Sequence, residues 1–267
     1  MELQPYDILR WHVAAGADEA IGETAVDRFA TSAKAVPPPR PVDAAAPEPR
    51  RVPAMPHAAM PHAAEPGTSA HQAAEAVDLA ALRAAMEAFE GLPLKAAATS
   101  TVFGDGNPEA GVMCIGEAPG QEEDRQGLPF VGASGKLLDR MLASIGLDRQ
   151  SAYITNILPW RPPANRKPTS DEVAACLPFV SRHIDLIDPQ LLILFGGAAA
   201  SALLARGEGI NRLRGRWFEY SSPGLPRPIP AIATFHPEYL LCTPEAKREA
   251  WHDLLMVKKR LEAGHQN

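Results

Sequence analysis

The stretch that most constrains the fold is Val112-Met113-Cys114-Ile115 followed by Gly116-Glu117-Ala118-Pro119-Gly120. A short apolar run bounded by turn formers reads as a strand buried on both faces. The two glycines and the proline behind it forbid regular structure and favour a tight turn. A strand that delivers one carboxylate, Glu117, onto a glycine-rich loop at its carboxyl end is how open α/β sheets build their sites. Gln121, Glu122, Glu123 and Asp124 follow at once. Pro129, Phe130 and Gly132 make a second turn, and a helix is expected over residues 134–145, with Leu137, Leu138, Met141, Leu142 and Ile145 on one face and Gly146 as its cap.

The rest of the chain repeats this alternation. Strands are expected over 152–158, 191–195 and 229–235, with weaker ones at 102–103 and 215–220 and a turn at Gly104-Asp105-Gly106. Helices are expected over 78–89, from a Thr169/Glu172 capping box to 187, over 198–205, and from Pro244 to about 261. Such alternation predicts a parallel sheet covered by helices on both faces. The fold class is α/β, a three-layer α/β/α sandwich around a central, mainly parallel four-stranded sheet. Loops at the carboxyl ends of parallel strands gather on one edge. That brings Glu117, Phe130, Asn156, Arg166 and His236 into one cleft.

Ahead of this lie a helical segment over 1–34 and a Pro/Ala-rich linker over 35–76, too poor in apolar residues to form a core. The folded domain is expected over 77–262. Residues 1–100 hold 8 Lys+Arg against 13 Asp+Glu, so most of the net charge of −6 sits there. The remainder is close to neutral, and the distribution of charge matters more than its sum. Cys114, Cys176 and Cys242 form neither a disulfide framework nor a CxxC site. No apolar run is long enough to span a membrane and the start lacks a signal-peptide pattern, so a cytoplasmic setting is expected.

The cleft residues suggest a chemistry. Glu117 can act on water or favour a positive charge, whereas Glu122, Glu123 and Asp124 also read as a solvated acidic loop. Phe130 can stack on a planar ligand, and Asn156 offers an acceptor and two donors that match the edge of a uracil-like ring. His236 can donate to a developing anion; a turn-capping Asn156 and a structural His236 are the plainer alternatives. Arg161, Arg166 and Lys167 sit in a proline-stiffened loop, and Arg212-Leu213-Arg214-Gly215-Arg216 adds a second basic strip. Cations on rigid loops suit phosphodiester contacts. A phosphate cradle at GEAPG is a competing reading, but a carboxylate in that loop would repel the phosphate.

The blocks GEAPGQEEDRQGLPFVG, TNILPWRPPANRKP and TFHPEYLL, in that order, resemble the signatures of the uracil-DNA glycosylase superfamily, its family 4 in particular. The resemblance covers roughly residues 78–262. It implies hydrolysis of the N-glycosidic bond of deoxyuridine in single- or double-stranded DNA, in base excision repair, by a monomer. It implies that Glu117 is the principal acid with Glu123 or Asp124 supporting it. Gly116, Ala118, Pro119 and Gly120 would then surround the base, Phe130 would stack on it, Asn156 would read its edge and His236 would stabilise the uracil anion. Pro237 would lie at the point of insertion into the duplex. Arg161, Asn165, Arg166, Lys167 and Arg214 would hold the DNA backbone.

Two departures from the family pattern matter. Family 4 implies a [4Fe-4S] cluster on four cysteines, and those positions here hold Phe89, Leu92, Trp160 and Cys176. One thiol cannot hold a cluster that needs four, so no cofactor and no metal are expected. Relatives with GQDPY carry an aspartate where this chain has Ala118, which moves the acid role to Glu117. Relatives that bond covalently to their product use a histidine in the basic loop, which PPANRKP lacks, so ordinary turnover is expected. A non-catalytic or weakly catalytic reader of uracil or abasic sites is the alternative.

Overall fold

A computed structural model describes residues 66–264. The expected helical segment over 1–34, and the linker as far as residue 65, lie outside the described residues. The elements in chain order are α1 (Pro66–Glu75), α2 (Leu79–Ala88), α3 (Pro93–Ala97), β1 (Asp105–Gly106), β2 (Val112–Gly116), α4 (Gln121–Gln126) and α5 (Ala133–Ser144). They continue with β3 (Ala152–Asn156), a 3-10 turn Pro163–Asn165, α6 (Ser170–Ile187), β4 (Leu191–Phe195), α7 (Gly197–Leu204) and α8 (Ile210–Leu213). Last come β5 (Trp217–Tyr220), β6 (Ile229–Thr234), α9 (Pro237–Cys242), a 3-10 turn Pro244–Ala246 and α10 (Lys247–Gly264).

One sheet runs in the order β1-β3-β2-β4-β6-β5. The four inner strands are parallel, as expected from their apolar runs, and the sheet gains one short antiparallel strand at each edge. Every residue of β2, β3 and β4 is buried, which parallel strands covered on both faces require. Their side chains alternate between two cores: Met113, Ile115, Leu192 and Leu194 face one layer, Val112, Cys114, Leu191 and Ile193 the other. The first core lies under α1, α2, α6 and α7; the second lies under α5, α9 and α10.

Three boundaries differ from expectation. Residues 102–103 are not a strand; the edge strand is Asp105–Gly106, where Gly106 takes a φ of 99° that suited a turn reading. Residues 66–76, assigned to the linker, form α1 and its continuation. Ala73 and Ala76 are buried in the first core, and the Arg182 guanidinium donates to the Ala76 carbonyl at 2.8 Å. Small alanines pack where composition alone suggested a chain without a core. The short helices α3, α4, α8 and α9 have no counterpart among the expected elements. The Thr169/Glu172 capping box is present in both directions, at 3.2 and 2.8 Å.

Candidate active site

Parallel pairing sets Gly116 beside Asn156, and Phe195 beside Thr234, so four loops open on one edge of the sheet. They enclose two adjoining chambers. The first, about 380 Å³, is lined by Ala118, Glu123, Phe130, Asn156 and His236 among others. The second, about 530 Å³, is lined by Glu117, Pro119, Lys167, Gly197, Asn211 and His236 among others. Ala118, Gly120, Asn165, His236, Glu238 and Cys242 border both.

The first chamber holds two buried polar atoms without a hydrogen-bond partner, Asn156 Oδ1 and His236 Nε2. Leaving such atoms unmet typically costs about 1–3 kcal/mol each, so a fold that keeps them points to a ligand that meets them. The Glu238 backbone N–H donates to His236 Nδ1 at 3.2 Å, which puts the proton of the neutral imidazole on Nε2. Burial holds the His236 pKa down to about 4, against a small opposing effect of Glu123. At neutral pH the chamber therefore presents one uncharged N–H donor and one carbonyl acceptor.

Phe130 forms a wall of this chamber and stacks on the His236 ring at 5.5 Å. Its backbone sits at φ 54°, a left-handed conformation that costs a non-glycine residue roughly 1–2 kcal/mol. Arg149 holds it there. The guanidinium donates to the carbonyls of Pro129 and Phe130 and pairs with Asp105 and Asp139. Gly135 lets α5 pass, since a Cβ there would collide with the Phe130 carbonyl. Gly116 lies beneath the chamber: a Cβ would fall 2.4 Å from both Asn156 Oδ1 and the tip of Phe130.

Glu117 stands in the second chamber with no ion pair among the described residues. Burial raises its carboxyl above the usual range, Lys167 opposes that, and the charge of Glu238 adds to it. Lys167 is exposed and borders the same chamber. Gly196, at φ 91°, turns β4 into α7, and a Cβ there would fall 3.2 Å from the His236 side chain.

Several expected site residues do other work. Glu123 is buried and its carboxylate accepts from the backbone N–H groups of Gly120, Val131 and Gly132 at 2.8–3.1 Å. It therefore ties the Glu117 loop to the Phe130 loop. Asp124 borders neither chamber and accepts from Thr99 and Ser100 N–H at 2.8 and 3.1 Å. Arg214 is turned inward over the Phe235 ring and pairs with Asp253 and Glu249, so its donors are spent inside the fold. Arg166 borders the second chamber but is held in two bonds by Glu172. Arg161 donates to Asn165 at 2.6 Å. Pro237 is buried as the first residue of α9; the exposed apolar residues beyond it are Tyr239 and Leu241.

The sequence reading missed Arg149, Gly196, Gly197, Asn211 and Glu238. Arg149 acts across 19 to 44 positions of chain, which no local pattern signals. The glycine pair Gly196-Gly197, directly behind the apolar run 191–195, is the local signal that could have found two of them.

The residues at the four cluster positions do not fit an iron–sulfur group. Phe89, Leu92, Trp160 and Cys176 are all buried. Phe89 stacks on Trp160 at 6.3 Å and meets Phe179 edge-on at 5.3 Å, filling the space with rings. Trp160 Nε1 donates to Thr101 Oγ1 at 3.1 Å. Burial raises the Cys176 thiol to about 12, so it is an uncharged packing group.

The cleft at the carboxyl edge of the parallel sheet thus holds a carboxylate, a neutral histidine and an unmet amide oxygen. The family model of the uracil DNA glycosylase superfamily matches residues 103–255, and the chain belongs to that superfamily. A type-4 uracil-DNA glycosylase of Archaeoglobus fulgidus is 41% identical over 163 residues, which span 60% of this chain and 81% of that protein. One of Saccharolobus solfataricus is 38% identical over 169 residues, 61% of this chain and 77% of that protein. A type-5 uracil-DNA glycosylase of Thermus thermophilus is 30% identical over 190 residues, 65% of this chain and 84% of that protein.

Proposed function

We propose that this enzyme, a DNA glycosylase, takes deoxyuridine out of the DNA stack and hydrolyses its N-glycosidic bond, releasing uracil and leaving an abasic site. The observation that carries the reading is the pair of unmet atoms in the first chamber. Asn156 Oδ1 accepts from a ring N–H, and His236 Nε2–H donates to a ring carbonyl. A neutral donor suits a leaving group that gains negative charge, because the bond strengthens as the charge develops. Phe130 offers its ring for stacking on the base.

Glycosidic cleavage leaves cationic character on the sugar. Glu117, in the adjoining chamber, favours that cation and orients the attacking water. Lys167 opposes the effect of burial on that carboxyl and so favours its ionised form. Extracting the nucleotide costs a few kcal/mol, offset by contacts in the pocket. Tyr239 and Leu241, on the helix that begins at Pro237, offer exposed apolar side chains to fill the vacated stack.

Glu117→Gln tests this on a uracil-containing oligonucleotide under single turnover. Excision is expected to fall roughly 100- to 10,000-fold, with affinity for the oligonucleotide retained. Full excision by the variant would sink the assignment. The second reading, a reader without chemistry, rests on Ala118 bordering both chambers where other relatives carry an acid. Strand scission by alkali after incubation with the wild-type protein separates the two.

A further inference from the structure

Away from the cleft, a third depression of about 680 Å³ follows the outer edge of β5. It is lined by Trp217, Phe218 and Glu219 of that strand and by Arg206, Arg216 and Arg260. All three arginines are exposed. Arg206 follows α7 on one face of the sheet, and Arg260 lies on α10 on the other. None of the three guanidiniums forms an ion pair among the described residues. By contrast Arg166, Arg149 and Arg214 are each held by carboxylates. Arg260 lies 4.6 Å over the Trp217 ring and Arg216 5.6 Å from the Phe218 ring, an arrangement that settles the arginine stems and leaves N–H edges free.

The backbone of β5 has an open side whose pattern can be worked out. The Gly196 N–H donates to the Thr234 carbonyl at 2.9 Å, so on β6 that carbonyl faces β4. The Ala233 carbonyl faces the other way and accepts from Gly215 N–H at 3.2 Å. Carbonyl direction alternates along a strand, so Ala231 also faces β5, opposite Phe218. Pro230, opposite Glu219, has no N–H to give. Trp217 and Glu219 therefore turn their N–H and C=O groups outward. Two residues of strand, spaced two apart, are open to one more partner.

We propose that this edge docks an extended acidic peptide segment of another protein, which adds a strand beside β5 and sets its carboxylates against Arg206, Arg216 and Arg260. Alternating donors and acceptors match a peptide main chain; a phosphodiester can take the N–H groups but has nothing to give the carbonyls. A second copy of this edge fits poorly, since it would bring arginine against arginine. The Glu219 carboxylate points the docked acidic residues toward the arginines and away from itself.

The test uses the full chain and a fluorescein-labelled hexapeptide of sequence Glu-Glu-Val-Thr-Glu-Glu, which presents carboxylates on both faces of an added strand, read by anisotropy. Saturable binding is expected, at least tenfold weaker for the Arg206→Glu/Arg260→Glu double variant. Binding is also expected to weaken at least tenfold for the same peptide methylated at alternate backbone nitrogens, which keeps the charge and removes donors. Uracil excision by the double variant should equal that of the wild type, which shows that it is folded. Three results would overturn the proposal: no saturable binding, equal binding of the methylated peptide, or an oligonucleotide that loses affinity in the double variant and competes with the peptide.

Discussion

The base chamber and the aromatic cluster around Trp160 are both enclosed by the same fold, yet they treat their buried atoms in opposite ways. Around Trp160 the rings stack, the indole N–H has its acceptor, and the Cys176 thiol stays neutral. In the chamber, Asn156 Oδ1 and His236 Nε2 are unmet, and Phe130 is held in a left-handed backbone. The difference separates stability from function. Packing that satisfies itself holds the molecule together; a constellation kept open at a cost awaits a ligand.

That contrast can be broken at either end. The largest effect is expected for Gly116→Ala, whose new methyl would displace Asn156 or Phe130 from the chamber. A displacement of about an ångström commonly costs about 100-fold in rate, so excision per folded molecule should fall at least that far, beside an overpacking cost of about 1–3 kcal/mol in stability. Steady-state excision beside a thermal melt decides it, and unchanged excision would mean that the chamber does not hold the base. Trp160→Ala should do the reverse. Losing the buried indole is expected to cost about 3–5 kcal/mol of stability by denaturant titration, with excision per folded molecule near wild type.

The smallest effect sharpens the role of Glu117. Its carboxyl is raised by burial, lowered by Lys167 and raised again by Glu238. The acid form is inactive in the proposed mechanism, so excision should decline as pH falls through that raised value. Removing the cation in Lys167→Met raises the pKa further and shifts the acid limb to higher pH. Removing the anion in Glu238→Gln shifts it to lower pH. Single-turnover rates against pH measure both, and two shifts of the same sign would mean that Glu117 does not set the limb.

Much of the site was legible because strand ends announce themselves. Glu117, Asn156 and His236 each follow or end an apolar run, and parallel pairing brings those ends together. Phe130 was legible from its flanking Pro129 and Gly132. The surroundings of Glu123, Asp124 and Arg214 were not legible, because a charged residue near a site looks the same in sequence whether its donors or acceptors are free or spent. Glu123 is spent on three backbone N–H groups and Arg214 on two carboxylates. Such pairings join residues far apart in the chain, and nothing local records them.

The sequence by itself determined the alternation of elements, the parallel inner sheet, the family and the edge at which the loops gather. These depend on periodicity and on turn chemistry, both local. Tertiary structure alone decided which charges remain free for a ligand, that Arg149 holds Phe130 in place, and that alanines 73 and 76 pack into the core. It also decided that the open edge of β5 lies between arginines from two faces of the sheet. Those are matters of what each group meets in space, and only the folded chain supplies the partners.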